Sequence, residues 1–197
     1  MKNFLVVLIL GVVLTSCSAY QDALKSDDIA LKYAMADSLY NVGLETGKIG
    51  KFKRSLKLWE QIVPTYRGRP QAERVMYLYS DTYYQIEDFY LAGYQFERFV
   101  NAYPQSEKRE EAAFKSAQSY FMLSPKFNLD QIDTEKAMDK LQAFVNNYPD
   151  SERVEKVNEM VKELRTKIER KAFETAKQYN KIAVSQFTYP AAIKSFD

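Results

Sequence analysis

One side chain in this sequence has both the reactivity and the setting for covalent chemistry: Cys17. It is the single cysteine among 197 residues, so neither an internal disulfide nor a cysteine-built zinc site is open to it. Its sulfur is a nucleophile that an alkylating donor can cap. The other candidates for chemistry fall away. The sequence has no histidine, which removes the commonest acid–base group and metal ligand. Asp27-Asp28, Glu87-Asp88 and Glu110-Glu111 are adjacent pairs. Neighbours on a helix diverge by about 100°, so these pairs serve as caps and turns rather than paired catalytic carboxylates. Asp130, Asp133 and Glu135 share one turn but lack the glycine and closing glutamate of a helix–loop–helix calcium site. No glycine-rich phosphate loop is present. The sequence therefore reads as a non-enzyme, with no cofactor and no metal site.

The residues before Cys17 give it a context. Lys2 precedes the apolar run Phe4–Leu14. A cation followed by an apolar stretch too short to span a bilayer comfortably matches a secretory leader. Leu14-Thr15-Ser16-Cys17 follows, and resembles the bacterial lipobox: a leucine three places before an obligatory cysteine, with small residues between. On this reading residues 1–16 are a lipoprotein signal peptide. Cys17 receives a diacylglyceryl group and, after cleavage, an acyl chain on its new amino terminus. Residues 17–28 form a lipidated tether. Several acyl chains anchor stably where one binds only marginally. Ser18 is compatible with outer-membrane sorting, so the expected location is the outer membrane, held by lipid. The 28 basic residues nearly balance the 26 acidic ones, which gives no electrostatic case for nucleic acid or for a polybasic membrane patch.

What must position any remaining function is a repeat. Phe89–Ser106 reads FYLAGYQFERFVNAYPQS: a small residue, aromatics four apart and a Tyr-Pro stop. Altered copies run from Phe52 to Gly68, from Thr134 to Ser151 and from Tyr189 to the end. The small residue falls at Ser55, Ala92, Ala137 and Ala192. The first interval is close to the roughly 34-residue tetratricopeptide period. The second is longer because Leu123–Asp133 reads as an extended turn, and the third because Val154–Ile182 reads as one long helix with a charged, solvated surface. The expected fold is all-α, a tetratricopeptide-repeat solenoid of helical hairpins over 29–197. Its repeats lie at about 29–68, 70–104, 106–149 and 152–197, the last incomplete. The first helix should bury Leu31, Ala34, Met35, Ser38, Leu39, Val42 and Gly43. Its partner should stop near Pro64 and Gly68, and Ser106 and Ser151 should cap the helices that follow them.

Against the tetratricopeptide pattern, Ala92 holds the small position, Tyr83, Phe96 and Pro104 match outright, and Tyr79 and Ser80 stand where Leu and Gly are usual. Repeat one supplies Gly43, Gly50, Phe52 and Trp59, with Arg67 in the proline place; repeat three supplies Ala117, Tyr120, Leu141 and Pro149; repeat four supplies Tyr179, Tyr189, Ala192 and Phe196. The wording Phe99-Val100-Asn101-Ala102-Tyr103-Pro104-Gln105-Ser106-Glu107, echoed at Phe144–Glu152, together with Leu91–Phe96 and Glu169–Ala172, is similar to the BamD family in a form typical of Bacteroidetes. These are lipoproteins of the outer-membrane β-barrel assembly machine. The resemblance covers Cys17 to Asp197, and the break in the fourth copy implies a C-terminally truncated member. It implies a non-catalytic adaptor that binds the periplasmic domains of the barrel-forming subunit, largely through its C-terminal repeats. Its N-terminal repeats would receive unfolded outer-membrane proteins through their C-terminal signal.

In such arrays the first helix of each pair lines the ligand side. The non-packing positions expected there are Asp37, Tyr40 and Leu44, then Arg74, Tyr77, Asp81 and Tyr84, then Phe114, Gln118 and Phe121. From these Tyr40, Tyr77, Asp81, Tyr84, Phe114 and Phe121 form the candidate peptide-binding groove. Tyr77, Asp81 and Tyr84 share one helix face. Aromatics at helical spacing are more often core than groove. Arg67 and Arg69 beside Gly68 have the fork geometry that grips a carboxylate, although such a pair is more often a solvated turn. The alternative reading is another periplasmic repeat lipoprotein, an envelope interaction scaffold or glycan-binding module. It is weakened by the presence of one tryptophan, Trp59, at a packing position.

Overall fold

The computed structural model describes the backbone of residues 19–186 and side chains as far as residue 182. The described residues form helices and turns and no strand. Helix α1 covers residues 19–25. It is followed by α2 (Ile29–Thr46), α3 (Ile49–Tyr66), α4 (Ala72–Gln85), α5 (Phe89–Ala102), α6 (Arg109–Leu123), α7 (Ile132–Asn147) and α8 (Val154–Gln186). The chain is all-α and built of helical hairpins of the tetratricopeptide type. Two compact units divide it, the first ending at Ser106 and the second beginning at Glu107. The leader, Cys17 and the fourth-repeat residues Tyr189, Ala192 and Phe196 lie outside the described residues.

In the first unit, Asp28 caps α2, its side chain accepting from the amides of Ala30 and Leu31. Gly47 ends α2 in the left-handed region at φ 64°, a conformation that costs glycine little. The buried face of α2 is Ala36, Leu39, Tyr40 and Gly43. The expected Leu31, Ala34 and Ser38 are exposed, because the real stripe is turned toward Ala36 and Tyr40. At Gly43 a Cβ would lie 2.8 Å from the Phe52 ring, so α2 and α3 meet where a side chain is missing. One turn on, the Ser55 hydroxyl donates to the Ala36 carbonyl at 2.7 Å. Trp59, Leu58 and Ile62 fill the space between, with Tyr33 edge-on to Trp59 at 5.5 Å. Residues expected to be tether also join this core. Tyr20 and Ala23 of α1 are buried in it, and the Arg54 guanidinium sits 5.3 Å from the Tyr20 ring centre.

Helix α3 runs through Pro64 to Tyr66 rather than stopping at the proline. A proline in the last turn removes one hydrogen bond, and its fixed φ is already helical. The Tyr-Pro phrases, by contrast, do stop their helices. Tyr103 (φ −126°, ψ 67°) and Tyr148 (φ −136°, ψ 61°) cap α5 and α7 from the extended side of the map, which a following proline favours. The serines that follow tie the hairpins together. Ser106 donates to Glu73 at 2.6 Å and Ser151 to Glu110 at 2.7 Å. Each ties the end of a hairpin back to the start of its own first helix. Ser151 also accepts from the Arg153 amide at 3.1 Å at the entry to α8, as its capping role requires; the N-cap residue of α6 is Lys108, whose own side chain makes no cap.

The second unit packs Phe114, Ala117, Tyr120, Ala137, Leu141 and Phe144 against Val157, Met160 and Leu164 of α8. The extended turn between α6 and α7 is organised by Gln131, whose amide donates to the carbonyls of Lys126 and Leu129 at 2.9 Å and whose oxygen accepts from Thr134 at 2.8 Å. Asp130 accepts from the Ile132 amide at 2.9 Å, the use of a turn carboxylate rather than of a metal ligand. Farther along α8 burial is intermittent: Ile168 is half-buried and Ala176 buried, while Ala172 and Tyr179 are exposed.

The Gly43 contact yields a direct test. Alanine normally stabilises a helix relative to glycine by roughly 0.5–1 kcal/mol. Here Gly43→Ala presses on a buried ring, and overpacking costs about 1–3 kcal/mol. Urea unfolding should show net destabilisation, relieved when Phe52→Leu is added.

Candidate functional site

The groove residues expected in the first unit lie on α2 and α4, which side-chain bonds join. The Tyr40 hydroxyl donates to Asp81 Oδ2, and Gln85 Nε2 donates to the same oxygen at 3.1 Å. Tyr40 and Asp81 are both buried, Asp81 to 1% exposure. Neither lines an open surface, which corrects the expectation for both. A carboxylate taken out of water must be hydrogen-bonded, and the phenol and amide meet that need while locking the two helices together. Nearer the surface, Arg74 Nε donates to the Tyr33 hydroxyl at 2.9 Å and Arg74 Nη2 pairs with Asp37 Oδ1 at 2.8 Å.

Tyr77 and Tyr84 keep part of their surface in solvent. Each rests edge-on against the second helix of the hairpin. Tyr77 meets Phe96 at 5.9 Å and Phe99 at 5.5 Å; Tyr84 meets Phe89 at 5.6 Å and Phe96 at 6.5 Å. Such contacts fix the rings, each worth about 0.5–1.5 kcal/mol beyond burial. Burial pushes the Tyr84 phenol above its usual range, and the nearby Asp81 charge adds to this. The Tyr84 ring stays a neutral, hydroxyl-bearing platform at ordinary pH. Together with Arg74, this face offers two fixed aromatic edges and a cation.

In the second unit, Phe114 is buried, edge-on to Phe144 at 5.7 Å, with Arg153 and Lys156 over its ring at 5.5 and 5.2 Å. It is core with a cationic lid, so the groove expectation fails there as well. Phe121 is half-buried against the same core. Tyr33 and Gln85, which orient Arg74 and Asp81, were not among the expected residues. Their signal was available in the seven-residue step from Tyr33 to Tyr40 and the four-residue step from Asp81 to Gln85. The phase error on α2 hid the first of these.

A second tyrosine cluster lies on the other side of α4. The Tyr83 hydroxyl donates to Glu60 at 3.1 Å and lies 3.1 Å from the Tyr79 hydroxyl. Burial, the Tyr79 hydrogen bond and the Glu60 charge hold the Tyr83 phenol far above the ordinary range of a tyrosine. Trp59 is completely buried and presents no face to a sugar. No helix of the described residues is long and apolar enough to cross a membrane.

The tyrosine cluster sets a pH dependence. A raised folded-state pKa means that the folded protein holds its proton where the unfolded chain, near pH 10, begins to lose it. Stability is therefore complete below about pH 10 and falls as pH rises above it. Thermal melts across that range should show the decline, and Tyr83→Phe should flatten it.

A family model described as an outer membrane lipoprotein, YfiO, matches residues 33–194. A search of curated proteins found no match. The chain belongs to the YfiO family of outer membrane lipoproteins, the BamD-like family.

Proposed function

We propose, from the premise that this chain is a YfiO-family outer membrane lipoprotein, that it is a non-catalytic adaptor of the β-barrel assembly machinery. Family membership carries this reading. Lipid on Cys17 holds the chain at the periplasmic face of the outer membrane, with no other cofactor. The helical hairpins bind unfolded outer-membrane proteins and the periplasmic domains of the barrel-forming subunit.

The α2–α4 face is the client surface in this reading, with a smaller roster than the sequence offered. Tyr77 and Tyr84 supply contact area, Arg74, held by Tyr33 and Asp37, adds a cation beside them, and the Tyr40–Asp81 bond keeps the two helices in register. An extended peptide ending in an aromatic residue suits this set. Its ring packs on fixed tyrosine edges at little entropic cost, and its carboxylate is drawn to the N–H groups of Arg74 that Tyr33 and Asp37 leave open.

Two experiments test the reading. A fluorescent C-terminal barrel-protein peptide should bind the mature chain in a polarisation titration, and Tyr77→Ala/Tyr84→Ala should weaken it by about tenfold or more, as expected for paired aromatic anchors. Unchanged binding in a variant shown by circular dichroism to be folded would remove the α2–α4 face from the reading. In cells, Cys17→Ser should shift the protein from the membrane to the soluble periplasmic fraction. Retention in the membrane would exclude Cys17 as its anchor.

A further inference from the structure

On the side of α4 away from Tyr77 and Tyr84, helices α3 and α5 flank a cavity of about 210 Å³. Its floor is apolar and built by α4: Ala72, Val75 and Met76 are all buried. Val63, Ala102, Tyr66 and Tyr103 also line it. Two arginines complete the lining, Arg67 after the end of α3 and Arg98 from α5, and both are exposed. Neither forms an ion pair among the described residues. Arg98 donates to the Gln95 side chain at 3.2 Å and lies 5.8 Å from the Tyr94 ring. Glu60, the nearby carboxylate of the same α3 stripe, is bonded to Tyr83 instead. From Arg98 the outer face of α5 continues as Tyr94 and Tyr90, which are 49% and 65% exposed.

We propose that this α3–α5 cavity is a docking site for an acidic protein segment: one apolar side chain seats in the cavity, flanking carboxylates meet Arg67 and Arg98, and the chain leaves over Tyr94 and Tyr90. The size argues for a side chain. Small-molecule and cofactor pockets usually enclose about 300–1,000 Å³, whereas this cavity matches a single anchor residue. The charge argues for an acidic partner, since two arginines over an apolar floor lack a carboxylate and a fork-shaped cation binds one bidentately. The residue types argue for a protein interface, because tyrosine and arginine are the residues most enriched at binding hot spots, with an apolar anchor at the centre. The site is separate from the α2–α4 client face. It recognises internal acidic residues rather than a chain terminus, so either site can fail without the other.

The test uses the mature chain carrying Cys17→Ser and a fluorescein-labelled hexapeptide, acetylated and amidated, with a phenylalanine–leucine centre flanked on each side by two acidic residues. The acidic peptide should bind with micromolar affinity that weakens as salt is raised, and a lysine-flanked version of the same centre should not bind. Arg67→Glu/Arg98→Glu should weaken binding by about tenfold or more. Ala102→Trp, which fills the cavity from its exposed rim, should do the same without changing the melting curve. Tyr77→Ala should leave this peptide's affinity unchanged. Absence of binding by the wild-type chain, or equal binding by the charge-reversed variant, overturns the proposal. So does a charge reversal that abolishes only co-flotation with phosphatidylglycerol vesicles, which would make the occupant a lipid.

Discussion

The helices of this chain come together where side chains are small. Gly43 lets α3 approach α2 until a Phe52 ring occupies the space of a missing Cβ. Ser55, Ala92 and Ala137 are each completely buried at the equivalent position of the second helix. Close approach leaves gaps beside each small residue, and large side chains one turn on fill them: Trp59 after Ser55, Phe96 after Ala92, Leu141 after Ala137. Interiors packed at crystal-like density tolerate neither a larger residue at the crossing nor a smaller one in the gap. The first-helix tyrosines inherit their positions from this arrangement. Tyr77 and Tyr84 are held because the rings beneath them cannot move.

Polar groups then fix what packing leaves free. A small–large contact sets the distance between two helices but only weakly sets their sliding. The Tyr40–Asp81 bond joins α2 to α4, and Ser55 ties α3 to the α2 backbone. Both act inside the core, where an unmade hydrogen bond costs about 1–3 kcal/mol and more for a charged group. A slipped register is thereby penalised. Asp81, a plausible ligand-facing residue by its spacing, belongs to this locking system.

The fold was legible because its strongest signals are backbone ones. A proline disfavours the α conformation of the residue before it, so Tyr103 and Tyr148 end their helices as expected, although Val63 before Pro64 stays helical. Small residues at repeating intervals likewise mark helix crossings without ambiguity. The site was less legible because periodicity gives a face and not its neighbours. On α2, alternative stripes through Met35 and Val42 or through Ala36 and Tyr40 are about equally apolar. Only the position of α3 and α4 decides between them, which is how Tyr40 came to be assigned to the wrong side. Ser106 and Ser151 stand where capping serines commonly do, and each hydroxyl also donates to a carboxylate on the first helix of the same hairpin. Such a partner, distant in sequence, is invisible to a local rule.

The serine–glutamate ties have a consequence for how this architecture tolerates change. The second and third hairpins are fastened at their open ends, by Ser106 to Glu73 and by Ser151 to Glu110. Between α4 and α5 the opposite end is a tight turn; between α6 and α7 it is the longer segment arranged around Gln131. The same clasp serves both lengths. The longer segment is also a handhold for α8: Lys167 donates to the Ser124 hydroxyl, Lys171 to the Leu129 carbonyl, and the Arg170 guanidinium stands 4.0 Å from the Phe127 ring centre. Added length in that turn thus steadies the helix that follows the pair.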